Sequence, residues 1–306
     1  MYIFIAVVAA SAYALQGTLM ASFYRKMDPL SAISYRGLAL GLVMLPLLAF
    51  VPLEQFYKTS SFFGHILLCA VLAALGNWLV ANSYKSLPVG VAWALSESFR
   101  TITAIGFAIL LLHEALNAYQ LGFIAALLVC VSILCTSSSS SSSGDSGKGP
   151  SRNVNPAATY AGIAFTMGFG VFIGWSMSLI GTVARECNPL VLAFEWEFTI
   201  GLIGVLFAWG RRLFKGKEHG LARINRLSFG KIALYSSPTV IGTYGFAVAS
   251  QMGSIAIVSA VLSVSTVAAA IIAYLLYKER LSALQCGMIA VSCLIIAGLN
   301  LLEFTI

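Results

Sequence analysis

Arg36, Glu97, Arg100, Glu195 and Glu197 all fall inside long apolar runs. A charge at the centre of a bilayer costs at least about 2.5–3.5 kcal/mol unless it is paired or hydrated. Such groups are therefore expected to face the interior of the fold, where an arginine can take a carboxylate by a forked hydrogen bond. Glu97 or Glu195 would accept an ammonium or carry a coupling proton, and Arg36 or Arg100 would take the carboxylate. Trp93 stands one turn before Glu97, Trp196 lies beside Glu195, and Trp175 and Tyr244 sit in neighbouring runs. Aromatic faces beside carboxylates can hold an organic cation. Bland roles compete for each residue: Glu97 and Arg100 can neutralise each other at i,i+3, Arg36 can snorkel, and aromatics pack helices or anchor interfaces.

The elements that position these residues follow from composition. Hydrophobic residues make up 59% of the 306 and charged ones 9%, whereas a soluble domain carries about 25% charged residues. Mean hydropathy is +0.91. The apolar runs predict helices at 2–23, 29–52, 61–84, 88–112, 116–136, 157–183, 189–210, 231–252, 254–277 and 282–303, most of them long enough to cross a core of about 30 Å. Helices are required because lipid-exposed backbone must satisfy its hydrogen bonds within the segment. Ile3 to Ala12 resembles the core of a cleavable leader, but no Lys or Arg precedes it and the apolar run continues, so it reads as the first helix.

Rise per residue sets depth. Glu97 and Arg100 lie about 14 and 18 Å along the fourth predicted helix, and Glu195 and Glu197 about 9 and 12 Å along the seventh, which runs the other way. Arg100 and Glu197 thus share a level near mid-membrane. Glu195 and Glu197 are about 200° apart around their helix, so only one of them can face a given cavity.

The chain also repeats. His113-Glu114-Ala115-Leu116, followed by Gln120 and Gly122, corresponds to Lys278-Glu279-Arg280-Leu281, followed by Gln285 and Gly287. Gly76-Asn77-Trp78 corresponds to Gly242-Thr243-Tyr244. Residues 1–136 and 157–306 form the two copies. Between them, 137–156 begins with seven serines and continues as a glycine-containing, solvated linker. Five helices per copy place the second copy upside down relative to the first, the arrangement from which many secondary transporters build a site that opens alternately.

Charge sets orientation. Loops between odd-numbered helices and their successors hold 14 of the 18 Lys and Arg, seven of them from Arg211 to Lys231, while the opposite face holds Lys58 and Arg185. The positive-inside rule puts the odd loops in the cytoplasm and both termini outside. That explanation of the +7 net charge makes nucleic acid an unneeded partner.

Other chemistry finds little support. Gly144-Asp145-Ser146-Gly147-Lys148-Gly149 lacks the Ser/Thr, strand and helix of a phosphate-binding loop. His113-Glu114 begins no zinc motif, since position 117 is Asn, and no nucleophile–base set stands out. The six cysteines form no CxxC pair and suit apolar packing. No metal, cofactor or enzymatic activity is expected.

With its duplicated halves and Glu-containing joins, the chain resembles the EamA-like family of the ten-helix drug/metabolite transporter superfamily. The joins are similar to the family's recurrent Gly-Glu-Arg-Leu-type turn, the second more closely than the first, which lacks the Arg. The resemblance implies an all-α integral membrane protein of ten helices, arranged as two inverted five-helix repeats around a central cavity lined prominently by the fourth and ninth. It also implies transport of small metabolites, often amino acids or amines, without ATP. Many relatives keep both termini in the cytoplasm, opposite to the charge count here.

The expected function is secondary active export or exchange of a small zwitterionic or cationic metabolite by alternating access, with protons as an optional coupling partner. The expected location is the bacterial inner membrane. An organic-cation or quaternary-amine carrier stands as one alternative, and a structural or sensing membrane protein as another.

Overall fold

The computed structural model describes residues 1–140 and 156–277 apart from 88, 217 and 219, with isolated positions between 283 and 295. Among the described residues every regular element is an α-helix. The chain begins with α1 (Tyr2–Lys26), α2 (Pro29–Leu48), a short α3 (Leu53–Ser60), α4 (Phe63–Ser86), α5 (Val89–Leu110) and α6 (Ala118–Ser140). It resumes with α7 (Pro156–Ala184), α8 (Pro189–Lys215), α9 (Arg226–Ser236), α10 (Pro238–Met252), α11 (Ile255–Leu262) and α12 (Ser265–Tyr277). Five of these, α1, α2, α4, α7 and α8, are long and apolar enough to cross a membrane. The join Lys278–Leu281 lies outside the described residues, as does nearly all of the expected helix at 282–303.

Three boundaries depart from the sequence expectation, each for a local reason. The expected helix at 29–52 ends at Leu48, two residues after an internal Pro46, and Pro52 then opens α3. The span expected at 231–252 is parted at Ser237, because Pro238 has no N–H to continue the ladder. The span expected at 254–277 is also broken. Around Ser263 the bonds tighten to i→i−3, from Val264 N–H to Val261 O at 3.0 Å and from Thr266 N–H to Ser263 O at 3.1 Å. The Ser263 hydroxyl meanwhile donates to Ala260 O at 2.7 Å.

Packing brings the two halves together throughout. α7 lies between α4 and α5, α2 runs along α8, and α1 packs on α10 and α12. The α2 and α8 starts are built alike. Asp28 accepts from Ser31 N–H at 3.1 Å and Asn188 from Leu190 N–H at 3.0 Å, each followed by a proline at the first helical position.

Asp28 also takes a forked pair of bonds from Arg211, at 2.7 and 2.8 Å, which ties the α1–α2 turn to the end of α8. Burial pushes the Asp28 carboxyl up, but the Arg211 and Ser31 bonds outweigh it and hold the group below its ordinary 3.8. Its stabilising share is therefore complete above the unfolded value and is lost as pH falls through the lower folded one. Asp28→Asn should melt below the parent at neutral pH, and the gap should close on acidification below about pH 4. Thermal midpoints across that range check this; a constant gap would show that the charge is irrelevant.

Candidate substrate cavity

The cavity at the centre of the fold has a volume of about 90 Å³. One water needs about 10–15 Å³ on this scale, so the space takes several waters or a metabolite of a few heavy atoms. Arg36, Trp93, Glu97, Arg100, Trp196 and Glu197 all line it. Six of the nine residues singled out from the sequence are thus brought together.

The charges form two buried pairs. Arg100 donates to Glu97 Oε2 at 2.6 Å from Nη2 and 3.1 Å from Nε. Ser265, at the start of α12, donates to the same oxygen at 2.8 Å. All of these bonds fall on Oε2, and among the described residues Oε1 takes none. Arg36 Nη2 lies 3.2 Å from Glu197 Oε2. Glu197 Oε1 accepts from Thr243 at 3.0 Å, and Thr243 in turn accepts from the Tyr13 hydroxyl at 3.1 Å.

Glycines let the backbones approach closely enough for this geometry. A Cβ at Gly174 of α7 would stand 2.6 Å from Arg100 O, and one at Gly170 would stand 2.7 Å from Arg100 N. Gly17 of α1 leaves room for the Trp93 ring. Small residues at helix crossings serve this purpose in membrane proteins.

Among the described residues, several donors around the cavity are buried without a partner: Arg36 Nε and Nη1, Trp93 Nε1 and Trp196 Nε1. A buried polar group left unsatisfied costs about 1–3 kcal/mol, which favours a ligand or waters that bring acceptors. Tyr24 and Tyr84 stack at 5.9 Å on the side of the cavity toward the α1–α2 turn.

The other three candidates lie elsewhere. Trp175 is 41% exposed, on the outer surface of α7 with its ring 6.0 Å from Phe107. Tyr244 is 44% exposed on α10. Glu195 is half-buried toward α3, bonded to Ser60 at 3.4 Å. Removing Glu195 from the cluster corrects its balance, since two arginines now face two glutamates and no carboxylate is in surplus.

Sequence reasoning missed Tyr13, Asn77, Thr243 and Ser265. The repeat held a clue to two of them. In Gly76-Asn77-Trp78 and Gly242-Thr243-Tyr244 the middle residue reaches the cavity or its carboxylate, while Trp78 and Tyr244 turn outward.

A bundle of apolar helices around a buried cavity lined by charged side chains fits an integral multi-pass membrane protein. Residues 1–138 match the model of the EamA-like transporter family, part of the drug/metabolite transporter superfamily. That match points to a membrane transporter of the drug/metabolite type. A solved structure described only as the crystal structure of a protein aligns over 97% of this chain and 93% of its own. Its TM-score is 0.65 at 13% identity, a similarity of fold alone. No curated protein matches the chain.

Proposed function

We propose that the protein is a secondary transporter of a small zwitterion, such as an amino acid or a derivative. The observation that carries this is the balance of the cavity, two arginines against two glutamates. A zwitterion exchanging partners with these pairs adds no net charge to a low-dielectric space, whereas a cation adds one. Its carboxylate accepts from the open donors of Arg36, and its ammonium donates to Glu97 Oε1. The indole N–H groups of Trp93 and Trp196 supply further donors.

The cycle we infer is alternating access by two inverted five-helix repeats, 1–136 and 157–306, joined by the 137–156 linker. Supporting this are the matched helix starts at Asp28 and Asn188 and the exchanged contacts, α4 on α7 and α10 on α1. The charge bias favours the Arg211–Lys231 face in the cytoplasm of a bacterial inner membrane. Protons remain an optional driving partner.

Thermal shift of purified protein tests the substrate class, because a ligand at about 100 times its Kd stabilises the native state by about 2.7 kcal/mol. Small zwitterions should raise the midpoint more than matched quaternary amines or carboxylates lacking the amine. The reverse order would favour the organic-cation reading, for which the aromatic lining of Tyr13, Tyr24, Tyr84, Trp93 and Trp196 speaks.

The double variant Glu97→Gln/Arg100→Gln separates function from folding. Glu97→Gln alone leaves Arg100 buried without its counter-charge, so its midpoint should fall as for any broken buried pair, and uptake into liposomes by the folded protein should fall at least about tenfold, the loss of one charge-assisted contact. Full transport by Glu97→Gln/Arg100→Gln would refute any role for this pair in binding.

A further inference from the structure

The face opposite Asp28 carries a polar network that the cavity chemistry does not use. Glu114, in the join between α5 and α6, reaches across to the second half of the chain. Its Oε1 accepts from Ile255 N–H at 3.0 Å and from Arg185 Nη2 at 2.8 Å. Its Oε2 accepts from Ala256 N–H at 3.0 Å and from the Ser254 hydroxyl at 2.8 Å. Arg185, just past α7, also donates from Nε to Ser250 O at 3.3 Å. One carboxylate therefore fastens the α5–α6 join, the end of α7 and the start of α11.

The backbone is shaped for this. His113 has φ +52°, a left-handed conformation uncommon outside glycine, and it turns the chain at the end of α5 so that Glu114 follows directly. Burial pushes the Glu114 carboxyl up, but the bonds from Ala256, Ile255, Ser254 and Arg185 outweigh it and keep the group below its usual range. A carboxylate also sits favourably at a helix N-terminus.

The opposite face shows part of the same device. Arg25, at the end of α1, donates from Nε to Tyr84 O at 3.3 Å, as Arg185 at the end of α7 does to Ser250 O. On that face the contact lies beside the Tyr24–Tyr84 pair of the cavity. Each arginine therefore ties the first helix of one half to the third expected span of the same half.

We propose that Glu114 is a positioning residue for the transport cycle: with Arg185 and the α11 N-terminus it forms a latch that is made when this face is closed and must break for the cavity to open here. The proposal rests on the alternating-access reading, but it concerns a different set of residues and makes no assumption about substrate.

The test therefore reads access rather than flux. Ala73→Cys places a thiol on the cavity wall in an otherwise cysteine-free protein, reconstituted in liposomes of one orientation. A membrane-impermeant thiol reagent is then applied from the Glu114 face or from the other. Glu114→Gln and Arg185→Gln should each speed labelling from the Glu114 face at least about tenfold, the scale of one charge-assisted hydrogen bond, and should not speed it from the other face. Arg185 is 42% exposed on its side chain, so its variant should fold and decide the matter if Glu114→Gln does not. Unchanged labelling in a folded variant, or equal acceleration from both faces, overturns the latch. Failure to find a zwitterionic substrate leaves this readout untouched.

Discussion

Arg36→Gln should destabilise the protein by about 3–5 kcal/mol and abolish transport, because it leaves Glu197 buried and charged without its partner. Arg36 is 5% and Glu197 3% exposed, so water does not replace the lost guanidinium. Among the described residues Thr243 is the other side chain bonded to Glu197, and one hydroxyl does not balance a full charge. Glu197→Gln should cost a similar amount by stranding the arginine, whose Nε and Nη1 already lack partners. The double variant Arg36→Gln/Glu197→Gln should regain most of the stability, since a neutral amide pair buries no charge. Transport should stay lost in the two variants that lack Arg36, because the proposed carboxylate contact goes with it. Denaturation midpoints in detergent and uptake in liposomes provide the two readouts. Recovery of transport along with stability in the double variant would reduce the pair to a structural role.

How far this arrangement was legible depends on how rare each residue type is in its setting. A charge inside an apolar run has few structural excuses, so Arg36, Glu97, Arg100 and Glu197 could be named from the sequence and assigned similar depths. Direction around the helix was harder. The 200° between Glu195 and Glu197 established that only one could face the cavity, but nothing local to α8 chooses between them. The choice is made by α3, whose Ser60 meets Glu195 from outside.

Aromatics were the least informative. Trp175 and Tyr244 are aromatic like Trp93 and Trp196, but an aromatic side chain serves equally well on an outer surface. Tyr13, Thr243 and Ser265 escaped notice because hydroxyls are ordinary in membrane helices, where they bond their own backbone. Their contacts with Glu97, Glu197 or each other arise only from packing between distant segments. The helix breaks divide in the same way. Pro238 was visible inside the expected span at 231–252, whereas the break at Ser263 follows from hydroxyl and i→i−3 bonds that no residue type announces.

Gly37→Leu and Gly201→Leu should be the most damaging substitutions away from the charges themselves. α2 and α8 cross with these two glycines in backbone contact. A Cβ on Gly37 would collide with the Gly201 backbone and lie 2.8 Å from Glu197 O. A Cβ on Gly201 would lie 2.7 Å from Leu38 N and 2.9 Å from Gly37 Cα. Both obstacles are main chain, which cannot rotate aside as a flexible side chain can. The helices must separate, and overpacking of this kind costs about 1–3 kcal/mol or more.

The functional consequence follows from position along each helix. Arg36 precedes Gly37, and Glu197 stands one turn before Gly201, so the crossing sets the distance between the two charges. Their hydrogen bond, from Arg36 Nη2 to Glu197 Oε1 at 3.4 Å, is already longer than a typical charge-assisted bond. A shift of about 1 Å would break it and strand both groups, adding the unpaired-charge penalty to the packing cost. Gly→Ala at either site should show a graded version: a lower midpoint, retained expression and transport reduced more than stability predicts. Gly64, around which nothing stands within 4 Å, is the control, and Gly64→Ala should leave transport intact. Wild-type transport and melting in Gly37→Ala would mean that α2 and α8 do not approach so closely in the membrane, and the Arg36–Glu197 pair would then need another explanation.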